Sequence, residues 1–494
     1  MVWRSCYGRG KPLRSAIATC CLAAFLFFGY DQGVFGGILQ MPDYLEQFGH
    51  PNDTKTGIIV SSYCLGALAG CILNVFIGDY FGRRRMIWMA MGFVLVGATL
   101  QASAFTVSHL IVGRVITGLG TGIDSSTVPM YQSELCEKEH RGRLVSWEVL
   151  FIGVGIVLAY WIDFGFQYLP GSVAWRTPIA IQLVFAIAVI FLVYGLPESP
   201  RWLAARGREE EAIEVLCAVF DRDRDDPFIV EQVEAIREAI SIDRRAGAQK
   251  LSGLFKNGKL KTRRRVVLAW FGLFMNQMVG INMVVYYMPT VLVKNVGQTP
   301  RLAQIIAGFV QVMFVIGCLL PSLRLDQMGR RRTMMWGCGG LGVCMMFIAA
   351  LLSQKTNKAA NIGAVAFFFL YMLIFGASIN VVPWVYGPEI LPLEARTRGT
   401  SISVSSHWMW NFFVVMITPV LINRLDWKTY LIFMYTSLAF VPIVYFFYPE
   451  TSNMSLEEID SLFIKPGEFD SESAEEGEYR TPGAKVEMVE AEKL

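Results

Sequence analysis

The sequence predicts an all-α membrane protein: twelve transmembrane helices in two six-helix halves, joined by a short cytoplasmic helical insert. Three observations predict it. Hydrophobic residues make up 54% of the 494 and charged residues only 17%, with a mean hydropathy of +0.43; a water-soluble chain of this size carries more charge. The apolar residues gather in runs of about 20, the length that crosses a bilayer. The punctuation of the first half recurs in the second.

The spans follow in order. The first lies near 15–37. Arg4, Arg9, Lys11 and Arg14 precede it, as in a signal peptide, but the run contains Asp31 and lacks a small-residue cleavage site, so we expect it to be retained. Further runs lie near 57–78, 86–104, 109–131, 144–164 and 177–196, and a second set near 266–289, 302–325, 333–352, 361–387, 399–422 and 429–447. Backbone groups in lipid must find partners within the segment, so each run reads as a helix. The expected divisions are a cytoplasmic N-terminus at 1–14, a first half at 15–196, a linker at 197–265, a second half at 266–447 and an acidic, largely disordered cytoplasmic tail at 448–494.

Orientation follows from the basic residues. Arg83, Arg84 and Arg85 follow the second span, Lys138, Arg141 and Arg143 the fourth, Arg330, Arg331 and Arg332 the eighth, and Arg396 and Arg398 the tenth. The stretch from Arg201 to Arg265 holds 15 of the 44 Lys and Arg residues. Both termini are therefore expected in the cytoplasm. Asn52-Asp53-Thr54 is a glycosylation sequon in the first outward loop, whereas Asn453-Met454-Ser455 falls on the cytoplasmic side and is expected to stay bare.

Three matches define the internal repeat. Asp79-Tyr80-Phe81-Gly82-Arg83-Arg84-Arg85 recurs as Asp326-Gln327-Met328-Gly329-Arg330-Arg331-Arg332, 247 positions on (79 to 326). Glu134 with Arg141 recurs as Glu389 with Arg396, 255 on (134 to 389), and Pro197-Glu198-Ser199 as Pro449-Glu450-Thr451, 252 on (198 to 450). Two like halves around a central cavity is the pattern of a transporter with its solute site near the midplane. Gly82 and Gly329 permit tight turns. The arginines, with Glu134, Glu198, Glu389 and Glu450, are placed to pair and to latch helix ends on the cytoplasmic side; orientation alone needs the arginines but not the matched acids.

These motifs, with Pro197-Glu198-Ser199-Pro200-Arg201-Trp202-Leu203 and Gln277-Met278-Val279-Gly280-Ile281-Asn282, resemble the sugar porter family of the major facilitator superfamily, and its fungal members in particular. The resemblance runs from about residue 15 to residue 451. It implies the major facilitator fold and secondary transport of a hexose or pentose, at the plasma membrane. A polyol, cyclitol or quinate-like solute, carried with or without protons, is the alternative. A non-transporting sugar sensor is a third reading, disfavoured because sensors of this fold usually carry a long tail and 44 residues follow Glu450 (450 to 494).

Within the first span, Asp31 is costly on insertion scales, roughly 2.5–3.5 kcal/mol at a helix centre, and such acids are functional by default. Arg114, in the fourth span, is the candidate partner. The resemblance makes Asp31 the proton carrier: the arginine stabilises the carboxylate, and protonation releases it. By the same match, Gln277, Asn282, Trp384 and Asn411 contact solute, Asn276 stands where a second glutamine is usual, and Tyr286 and Tyr287 resemble an outer gate. Amides supply the donors and acceptors that sugar hydroxyls need, and an indole face suits the apolar face of a sugar ring. The glutamine expected in the fifth span falls on Val149, with Glu148 beside it as a further solute or coupling candidate. Asp124 is an unexpected acid without an assigned role, and His407 reads as a packed neutral histidine where relatives carry asparagine.

Other chemistries lack their motifs. No Walker loop, dinucleotide fingerprint, HExxH or nucleophile elbow occurs in a credible context. Gly118-Leu119-Gly120-Thr121-Gly122 lies inside an apolar span and reads as helix packing. The ten cysteines fall mostly within apolar runs and read as packing residues. The expected partners are a sugar or polyol, the proton and the lipid bilayer, with no cofactor, metal, nucleic acid or obligate protein partner. Glu209 to Phe220 places Ala212, Ile213, Val215, Leu216 and Val219 at helical spacing, so the insert is expected to be short amphipathic helices rather than an enzyme domain.

Overall fold

A computed structural model describes residues 6–137, 141–247, 261–392, 395–452, 454, 458–459 and 462–463. Every element of it is a helix: α1 (Lys11–Ile38), α2 (Pro42–Gln47), α3 (Asp53–Phe81), α4 (Arg83–Ala102), α5 (Val107–Glu134), α6 (Arg141–Phe166), α7 (Val173–Tyr194), α8 (Pro200–Ala205), α9 (Glu209–Phe220), α10 (Pro227–Gly247), α11 (Thr262–Met278), α12 (Ile281–Lys294), α13 (Pro300–Met328), α14 (Arg330–Leu352), α15 (Lys358–Ala377), α16 (Val382–Ile390), α17 (Arg396–Leu425) and α18 (Lys428–Phe447). Lys138, Asn453 and Ser455 of the second sequon, and the tail from residue 464 on lie outside the described residues, as do the side chains of Arg141, Asp326 and Arg396.

Local chemistry sets the helix ends. The Asn52 side chain accepts from the Lys55 N–H at 2.9 Å to start α3, Thr106 accepts from His109 at 3.3 Å to start α5, and Thr299 with Pro300 starts α13, each satisfying an orphan donor of the first turn. Gly82 and Gly329 sit at φ 87° and 72°, in left-handed space that a side chain resists, and turn the chain tightly into α4 and α14.

Eleven stretches are long and apolar enough to span a membrane among the described residues. The expected fourth span, α5, is as long but is diluted by Arg114, Asp124 and its serines and threonines. Two expected spans are each broken in two. The seventh divides at Gly280, φ 94°, into α11 and α12, and the tenth divides between Ala377 and Val382 into α15 and α16. Polar side chains flank both breaks, Gln277 and Asn282 at the first and Ser378 and Asn380 at the second, but each run stays apolar enough overall to read as a single span.

Helices α1 and α3–α7 pack together, and α11–α18 pack together; α3 lies on α17 and α6 on α13 to join the two sets. The insert forms α8–α10, with Ile213 and Leu216 of α9 meeting Ile229 and Val233 of α10. Without a hydrophobic drive between helices in lipid, close approach depends on small residues. A Cβ on Gly122 of α5 would lie 2.7 Å from the Ala67 carbonyl carbon of α3. Gly122→Ala therefore costs about 1–3 kcal/mol of overpacking, expected as a melting temperature several degrees lower in detergent; an unchanged melt would contradict backbone contact there.

Candidate functional site

The repeated motifs form two matching networks at one end of the bundle. In the first, Arg83 grips Glu134 with Nε and Nη2, both at 3.2 Å, and Asp79 with Nη1 at 3.0 Å. Glu198 accepts from the backbone N–H of Arg83 at 2.9 Å and of Arg84 at 3.2 Å, an anion on the N-terminus of α4. In the second, Arg330 grips Glu389 at 2.8 and 3.3 Å, and Glu450 accepts from Arg330 N at 2.6 Å and Arg331 N at 3.1 Å on α14. The correspondence extends beyond the sequence matches. Arg84 and Arg331 donate to the carbonyls of Tyr194 and Tyr445, and the hydroxyls of Tyr131 and Tyr386 donate to those of Pro197 and Pro449. Each of these bonds ties helix ends within one half. Burial pushes the Glu198 carboxyl above its ordinary range, opposed by the N–H groups that it accepts from. Arg201 is half-buried in the first turn of α8.

Asp31 and Arg114 meet in the interior of the first half. Arg114 Nη1 lies 3.2 Å from Asp31 Oδ1, and both side chains are fully buried. Arg114 Nη2 donates to the Val60 carbonyl at 3.0 Å, and its guanidinium faces the rings of Phe35 at 4.2 Å and Tyr63 at 4.7 Å. Tyr63 and Gln182 flank the carboxyl, and Tyr286 of α12 is close enough to interact with both charges.

Across the interface lies a chain of amides whose polarity follows from one fixed point. Asn276 Nδ2 donates to the Ile379 carbonyl at 2.8 Å, so its oxygen faces Gln277 and accepts from Gln277 Nε2 at 2.7 Å. Gln277 Oε1 then accepts from Asn282 Nδ2. The second Nε2 hydrogen of Gln277 points at His407 Nδ1, 2.9 Å away. That nitrogen must accept, which places the imidazole proton on Nε2. His407 Nε2 and Asn411 Nδ2 are buried donors without a partner among the described residues. Trp384, half-buried, tilts over the His407 ring with centroids 5.0 Å apart.

The two groups connect through Trp408, which no sequence motif singles out. Trp408 packs on His407 at 5.1 Å, Phe28 at 5.2 Å and Tyr63 at 5.7 Å between centroids, and its indole N–H reaches Ser125 Oγ at 3.3 Å. Asn411 Oδ1 accepts from Cys64 Sγ at 3.2 Å. Its signal in the sequence was a run of aromatics around amides, His407-Trp408-Met409-Trp410-Asn411, inside an apolar span. Gln182 is likewise buried inside α7.

Glu148 is fully buried and neighbours Asp124 and Cys21. None of the four carboxylate oxygens of Glu148 and Asp124 has a hydrogen-bond partner among the described residues. Tyr286 and Tyr287 are buried at the end remote from the arginine motifs. There the halves touch through Gln40 Nε2 to Thr290 Oγ1 at 2.7 Å and Tyr160 OH to the Val285 carbonyl at 2.6 Å, so the two halves are joined at that end. Asn52 is exposed.

Comparisons with known proteins agree with this architecture. The family model described as "Sugar (and other) transporter" matches residues 16–463. The MFS-type transporter oryC of Aspergillus oryzae is 38% identical over 456 residues, spanning 90% of this chain and 85% of that one. The sugar transporter STL1 of Saccharomyces cerevisiae is 34% identical over 469 residues, spanning 92% and 82%. Among solved structures, the proton:xylose symporter XylE, bound to 6-bromo-6-deoxy-D-glucose, is 25% identical and superposes with a TM-score of 0.79, covering 91% of this chain and 99% of that one; XylE is from E. coli. With its twelve membrane-spanning helices and paired motifs, the chain belongs to the sugar porter family of the major facilitator superfamily, a family of multi-pass membrane transporters.

Proposed function

We propose that the chain imports a neutral polyhydroxylated solute, a monosaccharide of hexose or pentose size, together with a proton by alternating access. The buried Asp31–Arg114 pair carries this reading. A charge pair held in the membrane interior is costly and needs a reason, and one carboxylate against one arginine is a protonation switch. When Asp31 takes a proton, Arg114 keeps, among the described residues, the Val60 carbonyl and two aromatic faces. The packing of the first half is then biased toward a different arrangement. Trp408 and Tyr63 link that change to the amide chain.

The solute class follows from the amides. Gln277, Asn276, Asn282 and Asn411 offer donors and acceptors, with His407 Nε2 as a further donor, and Trp384 beside them supplies an apolar face. A neutral solute suits this set better than a quinate-like anion, since the hydrogen-bonded chain from Asn276 to His407 contains no cation. The similarity to a proton:xylose symporter and to a yeast sugar transporter points the same way. The arginine-bearing end is assigned to the cytoplasm of a plasma-membrane carrier by the basic loops. That assignment makes the end joined by Tyr160 and Gln40 the outer one, and puts Asn52 outside for glycosylation. The Arg83, Arg84, Arg330 and Arg331 networks then brace each half as a rigid body on the cytoplasmic side. The insert over 197–265 joins the two bodies.

The test is uptake of a labelled panel of hexoses, pentoses, polyols and quinate in a host without its own hexose carriers, with and without a protonophore. Uphill monosaccharide uptake lost on adding the protonophore is expected. Uptake of quinate alone, or accumulation indifferent to the protonophore, would overturn the reading.

A further inference from the structure

A proline inside a helix removes one backbone donor and so leaves the carbonyl four residues earlier without its intrahelical partner. Pro289 lies inside α12, which frees the carbonyl of Val285. Pro419 lies inside α17, which frees that of Val415. A tyrosine hydroxyl meets each. Tyr160 OH donates to the Val285 carbonyl at 2.6 Å, and Tyr287 OH donates to the Val415 carbonyl at 3.1 Å. All four of these residues are buried, none more than 2% exposed, so neither carbonyl has water as a ready substitute.

The two bonds differ in what they join. Tyr287 and Val415 belong to the same half. Tyr160 comes from α6 of the first half and Val285 from α12 of the second. Gly36 makes room for it: a Cβ there would lie 2.5 Å from the Tyr160 oxygen. The neighbouring carbonyl, Val284, is met from within its own half by Gln311 Nε2 at 3.3 Å. The Val285 carbonyl, one turn before Pro289 in α12, is therefore completed only while the halves are together.

We propose that Tyr160 is the latch of this end: its hydroxyl supplies the hydrogen bond that Pro289 withholds, so α12 is whole when docked on the first half and hinged when it leaves. Tyr287, itself on α12, carries the same device one helix further, onto α17 at Pro419. The proposal rests on the alternating-access reading, in which this end must open. It assigns Tyr160 a positioning role through the α12 backbone and asks nothing of the solute or the proton.

The test is amide hydrogen exchange of residues 290–294 in the full chain, in detergent, without solute or pH gradient. A buried carbonyl left without its partner destabilises the turn that holds it, so Tyr160→Phe is expected to speed exchange there about tenfold. Pro289→Ala restores the intrahelical donor. In that background the added Tyr160→Phe change is expected to have no effect on the rate. Acceleration by Tyr160→Phe that persists in the Pro289→Ala background, or no acceleration in either, overturns the proposal. If Tyr160→Phe alone does not fold, recovery of a folded protein on adding Pro289→Ala supports it, and failure of both overturns it. A carrier of some other solute, or one without proton coupling, leaves these outcomes unchanged.

Discussion

Asp31→Asn is expected to leave a carrier that equilibrates its solute but cannot concentrate it. One proton entering down 100 mV supplies about 2.3 kcal/mol, roughly a 50-fold concentration ratio at equilibrium. In the variant the ratio falls to about one, because the amide cannot take up and release a proton. Solute binding and exchange persist, since Gln277, Asn282 and His407 bond one another without Asp31. The variant also leaves Arg114 as a buried charge without its carboxylate. Breaking one side of a buried pair costs about 3–5 kcal/mol, here softened by the Val60 carbonyl and the Phe35 and Tyr63 faces. Accumulation ratios with an imposed proton gradient, alongside melting of the purified protein, separate lost coupling from lost fold. A folded variant that still concentrates solute removes Asp31 from the mechanism.

Gln277→Ala is expected to raise the half-saturating solute concentration about 100-fold, the equivalent of two buried hydrogen bonds left unmade. Gln277 is the hub of the amide chain, bonded to Asn276, Asn282 and His407. Without it Asn276 keeps its bond to the Ile379 carbonyl, but Asn282 loses its acceptor and His407 loses the donor that sets its tautomer. Uptake kinetics across solute concentrations check this. An unchanged half-saturating concentration would place the solute elsewhere.

Some of this was legible in the sequence because the signal is local. The Arg83 and Arg330 motifs repeat as short strings with fixed turn chemistry, and the structure gives them equivalent partners in Glu134 and Glu389. Asp31 and Arg114 stand out as charges inside apolar spans, and few partners were available to either. The breaks at Gly280 and after Ala377 were not legible, since long apolar stretches continue on both sides of the few polar residues that flank them. In the sequence His407 reads as a packed neutral histidine, and no motif singles out Trp408. Their roles depend on residues brought in from Ser125, Tyr63 and Gln277. The Tyr160 contact is half legible. Pro289 implies a freed carbonyl at Val285, but its donor lies 125 positions away and no local pattern points to it.

Solute-evoked proton movement reports on proton coupling without any intermediate step. Energy-depleted cells expressing the chain are suspended in weak buffer, and the external pH is recorded as a transported monosaccharide is added. The expected result is a transient alkalinisation in cells carrying the native chain and none in cells carrying Asp31→Asn. Monosaccharide uptake by the native chain with no change in external pH would contradict it.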